Sequence, residues 1–262
     1  HVAGWGSLMA DDVIKHVAAI GAGRMGRGIA HVFAYAGYRV TLADVKPRRA
    51  AEHETLLTAA RAEIEGNLKT LAEFGAFDGA LIPAMLARIH FTADLSELGD
   101  ADLIFEGVTE TMEAKEAAFA ALKEVVGAAA IIASTTSTLP VDKLAAFVDR
   151  PERFLNAHWL NPAYLIPLVE VSPGAATRDD VVDTVRRVLE GIGKVPVVCA
   201  PTPGYIIPRI QAVAMNEAAR MVEEGVASAA DIDKAIRTGF GPRYSTMGLL
   251  EFVDVGGGDI QI

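Results

Sequence analysis

His158 and Glu170 are the two residues of this sequence best placed to carry out proton transfer. His158 lies on an otherwise apolar strand predicted at residues 154–159, and Glu170 closes the next apolar run, 168–171. If the two strands are neighbours, the carboxylate can orient the imidazole, and such a histidine can accept the proton of an alcohol whose carbon loses a hydride. The alternative is a purely structural role, with His158 a buried histidine hydrogen-bonded to the backbone and Glu170 a residue that ends a strand.

A glycine-rich loop, GAGRMG at residues 21–26, follows a predicted strand and opens a predicted helix, and Asp44 closes the next strand. In this arrangement the glycines allow a tight turn, close approach of the backbone to a pyrophosphate, and helix-to-strand packing. The helix N-terminus attracts phosphates. Asp44 would bind ribose hydroxyls and repel a 2′-phosphate, which favours NAD over NADP despite the nearby Lys46, Arg48 and Arg49. FAD proteins and non-catalytic NAD sensors share the loop.

Three polar segments occur where strands should end, which is where open parallel sheets bind ligands. They are EGVTETMEAK (106–115), STTSTLP (134–140) and NAHWLNPAYLIPLVE (156–170).

The elements that must position these residues alternate between strands and helices, which is typical of an α/β fold with parallel strands. Strands are predicted at residues 15–20, 38–43, 103–105, 130–134, 154–159, 168–171 and 195–199. Helical periodicity at about 48–90, with a second helix at 81–89, predicts an inserted helical hairpin. After Pro201 and Pro203 the pattern is helical only. We therefore expect a first domain over residues 11–200 and a smaller all-α domain over 201–262.

Composition excludes several other classes of protein. The 262 residues carry a net charge of −10, which repels nucleic acid and anionic membranes. The single Cys199 cannot form an internal disulfide, and no Cys/His cluster has metal spacing. Residues 125–141 read poorly as a membrane span, and residues 1–10 lack the character of a signal peptide. We expect a cytoplasmic protein with a small-molecule substrate, no metal, no membrane and no nucleic acid partner.

Ordered motifs over residues 15 to about 255 resemble the NAD-dependent 3-hydroxyacyl-CoA dehydrogenase family. The motifs are GAGRMGRGIA, the acid in LADV, FEGVTETMEAK, ASTTSTLP, AHWLNPAYLIPLVEV and TPGYIIPR. The resemblance implies a Rossmann-type, doubly wound, mostly parallel sheet with an inserted helical hairpin and a helical dimerisation domain. It also implies an oxidoreductase of fatty acid β-oxidation that acts with NAD on an L-3-hydroxyacyl-CoA, in short-chain form 3-hydroxybutyryl-CoA.

The resemblance also assigns residues. It makes His158 the catalytic base and Glu170 the acid that orients it. It places the Ser137 hydroxyl on the substrate oxygen and Asn161 beside the nicotinamide and substrate. The positions implied to bind the cofactor are Gly21, Gly23, Arg24, Met25, Gly26, Asp44, Glu110 and Lys115.

Three departures from the family pattern keep other substrates open. Pro208 stands where the family usually has an asparagine that contacts the substrate. The inserted helix offers only Arg61 and Lys69 as basic groups for CoA, and the family's glycine-rich C-terminal ending is missing, so the helical domain is predicted to be incomplete. Similarity to λ-crystallin, L-gulonate 3-dehydrogenase and carnitine dehydrogenases suggests, as an alternative, a free 3-hydroxy acid. A non-catalytic NAD-binding or structural protein is the third alternative.

Overall fold

The structure, a computed structural model, describes residues 13–255. The opening segment considered above lies outside the described residues, as does the stretch Gly256-Gly257-Gly258, for which the sequence predicts a loop. The chain divides into two compact units, one ending at Ile206 and the other starting at Ile207.

The first unit is built around an eight-stranded sheet with strand order β3-β2-β1-β4-β5-β6-β7-β8. All neighbouring strands pair in parallel except β6 and β7, which are antiparallel. The strands are His16–Ile20 (β1), Arg39–Ala43 (β2), Ile89–Thr92 (β3), Leu103–Glu106 (β4), Ile131–Ser134 (β5), Phe154–Trp159 (β6), Leu168–Pro173 (β7) and Val195–Val198 (β8).

Helices connect these strands and follow them in the second unit. In the first unit they are Arg24–Tyr35 (α1), Ala50–Glu73 (α2), Ile82–Ala87 (α3), Met112–Lys123 (α4), Val141–Ala145 (α5) and Asp179–Gly191 (α6). The second unit contains Ile207–Glu223 (α7), Ala229–Ala235 (α8), Gly241–Tyr244 (α9) and Leu249–Val255 (α10), with a π-helical turn at Ile236–Phe240. The predicted α/β fold with a mostly parallel sheet and a helical C-terminal unit is confirmed. In the described part of the chain, no helix has the length and apolar character needed to cross a membrane.

The sheet is covered on both faces, as parallel sheets require. Along β1, Val17 and Ala19 belong to one hydrophobic cluster, whereas Ala18 and Ile20 belong to the other. Each fully buried large apolar side chain contributes roughly 1.5–3 kcal/mol of transfer free energy to folding. The central strands are therefore a rigid base for the loops at their carboxyl ends.

The edge strand β3 is not predicted from the sequence, because its four residues follow a helical pattern without a break. The structure ends α3 at Ala87 and pairs Ile89–Thr92 with β2. His90 on this strand is exposed, so the run lacks the continuous apolar character that marked the inner strands.

Candidate active site

The antiparallel pairing of β6 with β7 brings His158 directly opposite Glu170. The imidazole Nδ1 lies 2.7 Å from the carboxylate Oε2, and the two residues are 5% and 0% exposed. An ionised carboxylate only accepts hydrogen bonds, so Nδ1 is the donor when Glu170 carries its charge. With Nδ1 donating, Nε2 is the ring nitrogen left to accept a hydrogen bond. The contact proposed from the two apolar runs is thus present in the structure.

Two residues at the end of the first unit also contact this pair. The Tyr205 ring is stacked on the His158 ring, with centroids 4.9 Å apart and planes inclined by 4°. The Ile206 backbone N–H donates to Glu170 Oε1 at 2.8 Å. No role for Tyr205 or Ile206 follows from the sequence, although both lie in the motif TPGYIIPR.

Glu110 organises the loop that follows β5. Its Oε1 accepts hydrogen bonds from the Thr136 hydroxyl at 2.5 Å and from the Ser137 and Thr138 backbone N–H groups at 2.8 and 3.1 Å. Burial alone would raise the pKa of Glu110, but these bonds and the nearby Lys115 charge lower it below its ordinary value. Glu110 therefore stays ionised near neutral pH and holds the exposed Ser137 at the carboxyl edge of the sheet.

Lys115 lies behind Glu110 in the protein interior. Its Nζ is 2.8 Å and 2.9 Å from the two carboxylate oxygens of Glu106, and 3.3 Å from Glu110 Oε2. Ser134 at the end of β5 also donates to Glu106, at 2.5 Å. Because the Lys115 side chain is only 1% exposed, it contacts the Glu106 and Glu110 carboxylates from the protein interior and not from solvent.

The glycine loop leaves the space that a pyrophosphate needs. Gly21 has φ +93°, and a Cβ there would lie 2.6 Å from the Gly107 carbonyl oxygen, so only glycine fits. A Cβ on Gly26 would lie 2.1 Å from the Gly21 carbonyl oxygen. A Cβ on Gly23 would meet nothing within 4 Å, and Gly23 caps α1 without a side-chain hydrogen bond. The first turn of α1 therefore offers backbone N–H groups beside open space, which fits NAD.

Asp44 directly follows β2, near this loop, and is buried. Its Oδ2 accepts a 2.7 Å bond from Arg48 Nε and lies 3.0 Å from His53 Nδ1. Its Oδ1 accepts a long 3.4 Å bond from the Lys46 backbone N–H. No role for His53 follows from the sequence, since nothing in the local pattern shows that α2 places it beside Asp44.

Asn161 is exposed in the loop between β6 and β7, immediately after the strand that carries His158. Lys194 Nζ anchors this loop by donating to the carbonyl oxygens of Ala163 and Ile166 at 2.5 and 2.9 Å. Burial lowers the pKa of Lys194 to about 8. The structure thus brings His158 and Glu170 into contact on β6 and β7, whereas Ser137 and Asn161 lie in the loops that follow β5 and β6. Arg24 and the half-buried Met25 lie at the start of α1.

Comparisons with known proteins identify the family of this chain. Residues 16–202 match the 3-hydroxyacyl-CoA dehydrogenase, NAD binding domain, and residues 204–261 match the C-terminal domain of the same family. The chain is 36% identical over 234 residues to a probable 3-hydroxybutyryl-CoA dehydrogenase of Deinococcus radiodurans, covering 89% of this chain and 81% of the relative. It is 38% identical over 242 residues to the 3-hydroxybutyryl-CoA dehydrogenase of Bradyrhizobium diazoefficiens, covering 92% and 79%.

A solved structure of 5-formyl-3-hydroxy-2-methylpyridine 4-carboxylic acid 5-dehydrogenase, an NAD⁺-dependent dismutase, is also similar. It superposes with a TM-score of 0.83 at 31% identity, covering 94% of this chain and 77% of that one.

Proposed function

Because the chain belongs to the 3-hydroxyacyl-CoA dehydrogenase family of NAD-dependent oxidoreductases, we propose that it interconverts a short-chain L-3-hydroxyacyl-CoA and its 3-keto form. Its substrate in this proposal is 3-hydroxybutyryl-CoA, with acetoacetyl-CoA as the product. The observation that carries the proposal is the buried 2.7 Å contact between His158 and Glu170 at the polar edge of the sheet.

His158 is the proton acceptor in this proposal. Its Nε2 takes the proton of the substrate hydroxyl as the C3–H hydride leaves, and the imidazolium that forms is stabilised by the Glu170 carboxylate on Nδ1. Glu170 is fully buried, so its charge acts in surroundings where water screens it little. The Ser137 hydroxyl donates to the substrate oxygen, and the Asn161 amide lies beside the substrate and the nicotinamide.

NAD, when bound, supplies the nicotinamide C4 that accepts the hydride. We assign the open space at Gly23 and the N–H groups of α1 to its pyrophosphate, with Gly21 and Gly26 shaping the turn. Arg24, Met25 and Glu110 line the cofactor, and Lys115 contributes through Glu110. Asp44 Oδ1 binds the ribose hydroxyls, since Oδ2 is already engaged by Arg48.

An assay of NADH oxidation at 340 nm tests the reaction. We expect turnover of acetoacetyl-CoA, with little turnover of free acetoacetate. His158→Asn should lower kcat by ~10²–10⁴-fold, the usual contribution of a positioned base, while the Kd for NADH stays the same. His90→Asn, at an exposed histidine on β3, is the matched control. Wild-type turnover in the His158 variant would exclude the proposed base.

A substrate without CoA is a second candidate, favoured by the similar structure of an enzyme named for a pyridine carboxylate. The sequence features in its favour are Pro208 and the sparse basic groups of α2, Arg61 and Lys69. Turnover of a free 3-hydroxy acid such as L-gulonate or carnitine, with none of acetoacetyl-CoA, would establish this class. NADH binding without turnover of any of these would indicate a non-catalytic protein.

We also propose that the chain forms a homodimer through its helical unit, in the cytoplasm. Within the described chain α7 has no buried residue, and its apolar Ile210, Val213, Met215 and Val222 are exposed. A second copy that covers this face would remove them from water. Light scattering should give twice the monomer mass, and Val213→Glu should yield monomers. The lone Cys199 supports a reducing compartment, which cell fractionation can test.

A further inference from the structure

The segment Gly204-Tyr205-Ile206 contacts both members of the His158–Glu170 pair. Gly204 and Tyr205 have φ +78° and +44°, and Tyr205 is the single non-glycine residue with positive φ in the described chain. A left-handed backbone is unfavourable for a tyrosine, so surrounding contacts must hold it there.

The Tyr205 ring covers one face of the imidazole. Its hydroxyl donates to the Thr136 carbonyl oxygen at 2.8 Å and accepts from Asn156 Nδ2 at 3.0 Å. Tyr205 is 5% exposed, and burial raises the pKa of its hydroxyl, so the hydroxyl keeps its proton and remains a donor. Asn156 shares a face of β6 with His158, because side chains alternate along a strand.

The backbone of the next residue completes the arrangement. Since Glu170 Oε2 faces His158 and Oε1 accepts the Ile206 N–H, both carboxylate oxygens are engaged and the carboxylate cannot rotate freely. The left-handed turn at Tyr205 therefore orients two groups. The Tyr205 ring fixes the plane of the His158 imidazole, and the Ile206 N–H fixes the plane of the Glu170 carboxylate.

We propose that Tyr205 is a positioning residue that holds the His158 imidazole at a fixed angle and distance from the loop carrying Ser137. This inference rests on the proposed function of His158. Tyr205 acts through His158 and through the Thr136 carbonyl, which directly precedes Ser137 in the chain. The ring sets the plane of the proton acceptor, and the hydroxyl ties that plane to the loop that would hold the substrate oxygen.

Two substitutions at Tyr205 distinguish the contribution of the ring from that of the hydroxyl. Tyr205→Leu removes both, Tyr205→Phe keeps the stacking, and Tyr244→Leu in the second unit is the matched control. With acetoacetyl-CoA and NADH we expect Tyr205→Leu to lower kcat by about 10–100-fold, because small misplacements of a reacting group cost rates of this size. Tyr205→Phe, which keeps the ring but loses the bond to the Thr136 carbonyl, should show a smaller loss than Tyr205→Leu, and the Kd for NADH should not change in either variant. The pH profile of kcat/KM should shift in Tyr205→Leu, which a loss of folded protein would not cause.

A second measurement does not depend on turnover. In protein labelled with ¹⁵N-histidine, the His158 side chain of the wild type should show one tautomer with the proton on Nδ1. Tyr205→Leu should show exchange between tautomers or a shifted titration. Wild-type NMR behaviour together with a wild-type pH profile in Tyr205→Leu would overturn the inference. If His158→Asn is fully active, the proposed base fails; if His158→Asn is inactive but Tyr205→Leu matches wild type in both measurements, only the role of Tyr205 fails.

Discussion

The Lys115 ammonium group bridges both oxygens of the Glu106 carboxylate, at 2.8 and 2.9 Å, in a part of the molecule that water does not reach. One partner comes from the end of β4 and the other from the first turns of α4. The ion pair therefore fixes a helix to the strand end beside the glycine loop, and the Ser134 hydroxyl extends the network to β5.

Lys115→Met should destabilise the fold strongly. The apolar side chain leaves the Glu106 carboxylate buried without its counter-charge, and breaking buried pairs in this way costs about 3–5 kcal/mol. Urea denaturation measures the free energy of unfolding. Lys123→Met is the control, since its pair with Asp149 is partly exposed and such pairs contribute about 0–1 kcal/mol. Equal effects of the two substitutions would contradict the assigned importance of the buried pair.

Two glycines of the same loop should respond differently to alanine. In Gly23→Ala the methyl group enters open space, so we expect stability within about 0.5 kcal/mol of wild type. NADH binding should weaken, because the proposed site brings the pyrophosphate close to the Gly23 backbone. In Gly26→Ala the methyl would lie 2.1 Å from the Gly21 carbonyl oxygen, so the loop itself must distort. Thermal melts and NADH fluorescence titrations distinguish these results. Unchanged NADH affinity in Gly23→Ala would place the pyrophosphate elsewhere.

Asp44→Asn should change cofactor preference. The substitution keeps the shape of the side chain but removes the charge that would bind ribose hydroxyls and repel a 2′-phosphate. A hydrogen bond to a charged group is worth about 1.5–3 kcal/mol, so the preference for NADH over NADPH should fall by about tenfold or more. Titration with each cofactor measures this ratio, with Asp180→Asn at an exposed site as the control. An unchanged ratio of the NADH and NADPH affinities would show that Asp44 does not bind the ribose hydroxyls.

His31 should make the protein sensitive to acid. It is 2% exposed and stacked on Tyr164, and burial, followed by the Lys194 charge, lowers its pKa from 6.5 to about 4. Above pH 6.5 the ring is neutral in both the folded and the unfolded chain. As pH falls from 6.5 to 4 only the unfolded chain gains this proton, so on the order of 3 kcal/mol of stability is lost.

His31→Phe retains an aromatic ring at this position and removes the titration. The free energy of unfolding of this variant, measured by denaturant titration at several pH values, should fall less than that of wild type between pH 6.5 and 4. His90→Phe makes the same substitution at an exposed site and should keep the wild-type slope. If the free energy of unfolding depends on pH in the same way for wild type and His31→Phe, the acid sensitivity comes from other groups.

The sequence was informative where a polar residue interrupts an apolar strand. His158 and Glu170 could be identified because each is a charged or polar side chain in a run that is otherwise apolar. The glycine loop could be identified because its tight turn can be built only with glycine at particular positions. Contacts that depend on how distant segments turn could not be read in this way. The Lys115 side chain resembles that of a solvated helix residue until α4 is packed against β4, and Tyr205 becomes informative only when its ring is seen on the imidazole.

The hydrogen bond from Ile206 to Glu170 determines where a fragment containing only the first unit should end. The composition changes near residue 200, and a fragment cut there would retain the glycine loop and Asp44 but would lack Tyr205 and Ile206. Such a fragment would keep the residues assigned to the dinucleotide but would lose the contacts of Tyr205 and Ile206 with the His158–Glu170 pair. A fragment that continues through Ile206 retains the contacts described for the His158–Glu170 pair. The six residues between these two cuts are a connector by sequence, but two of them, Tyr205 and Ile206, contact the His158–Glu170 pair directly.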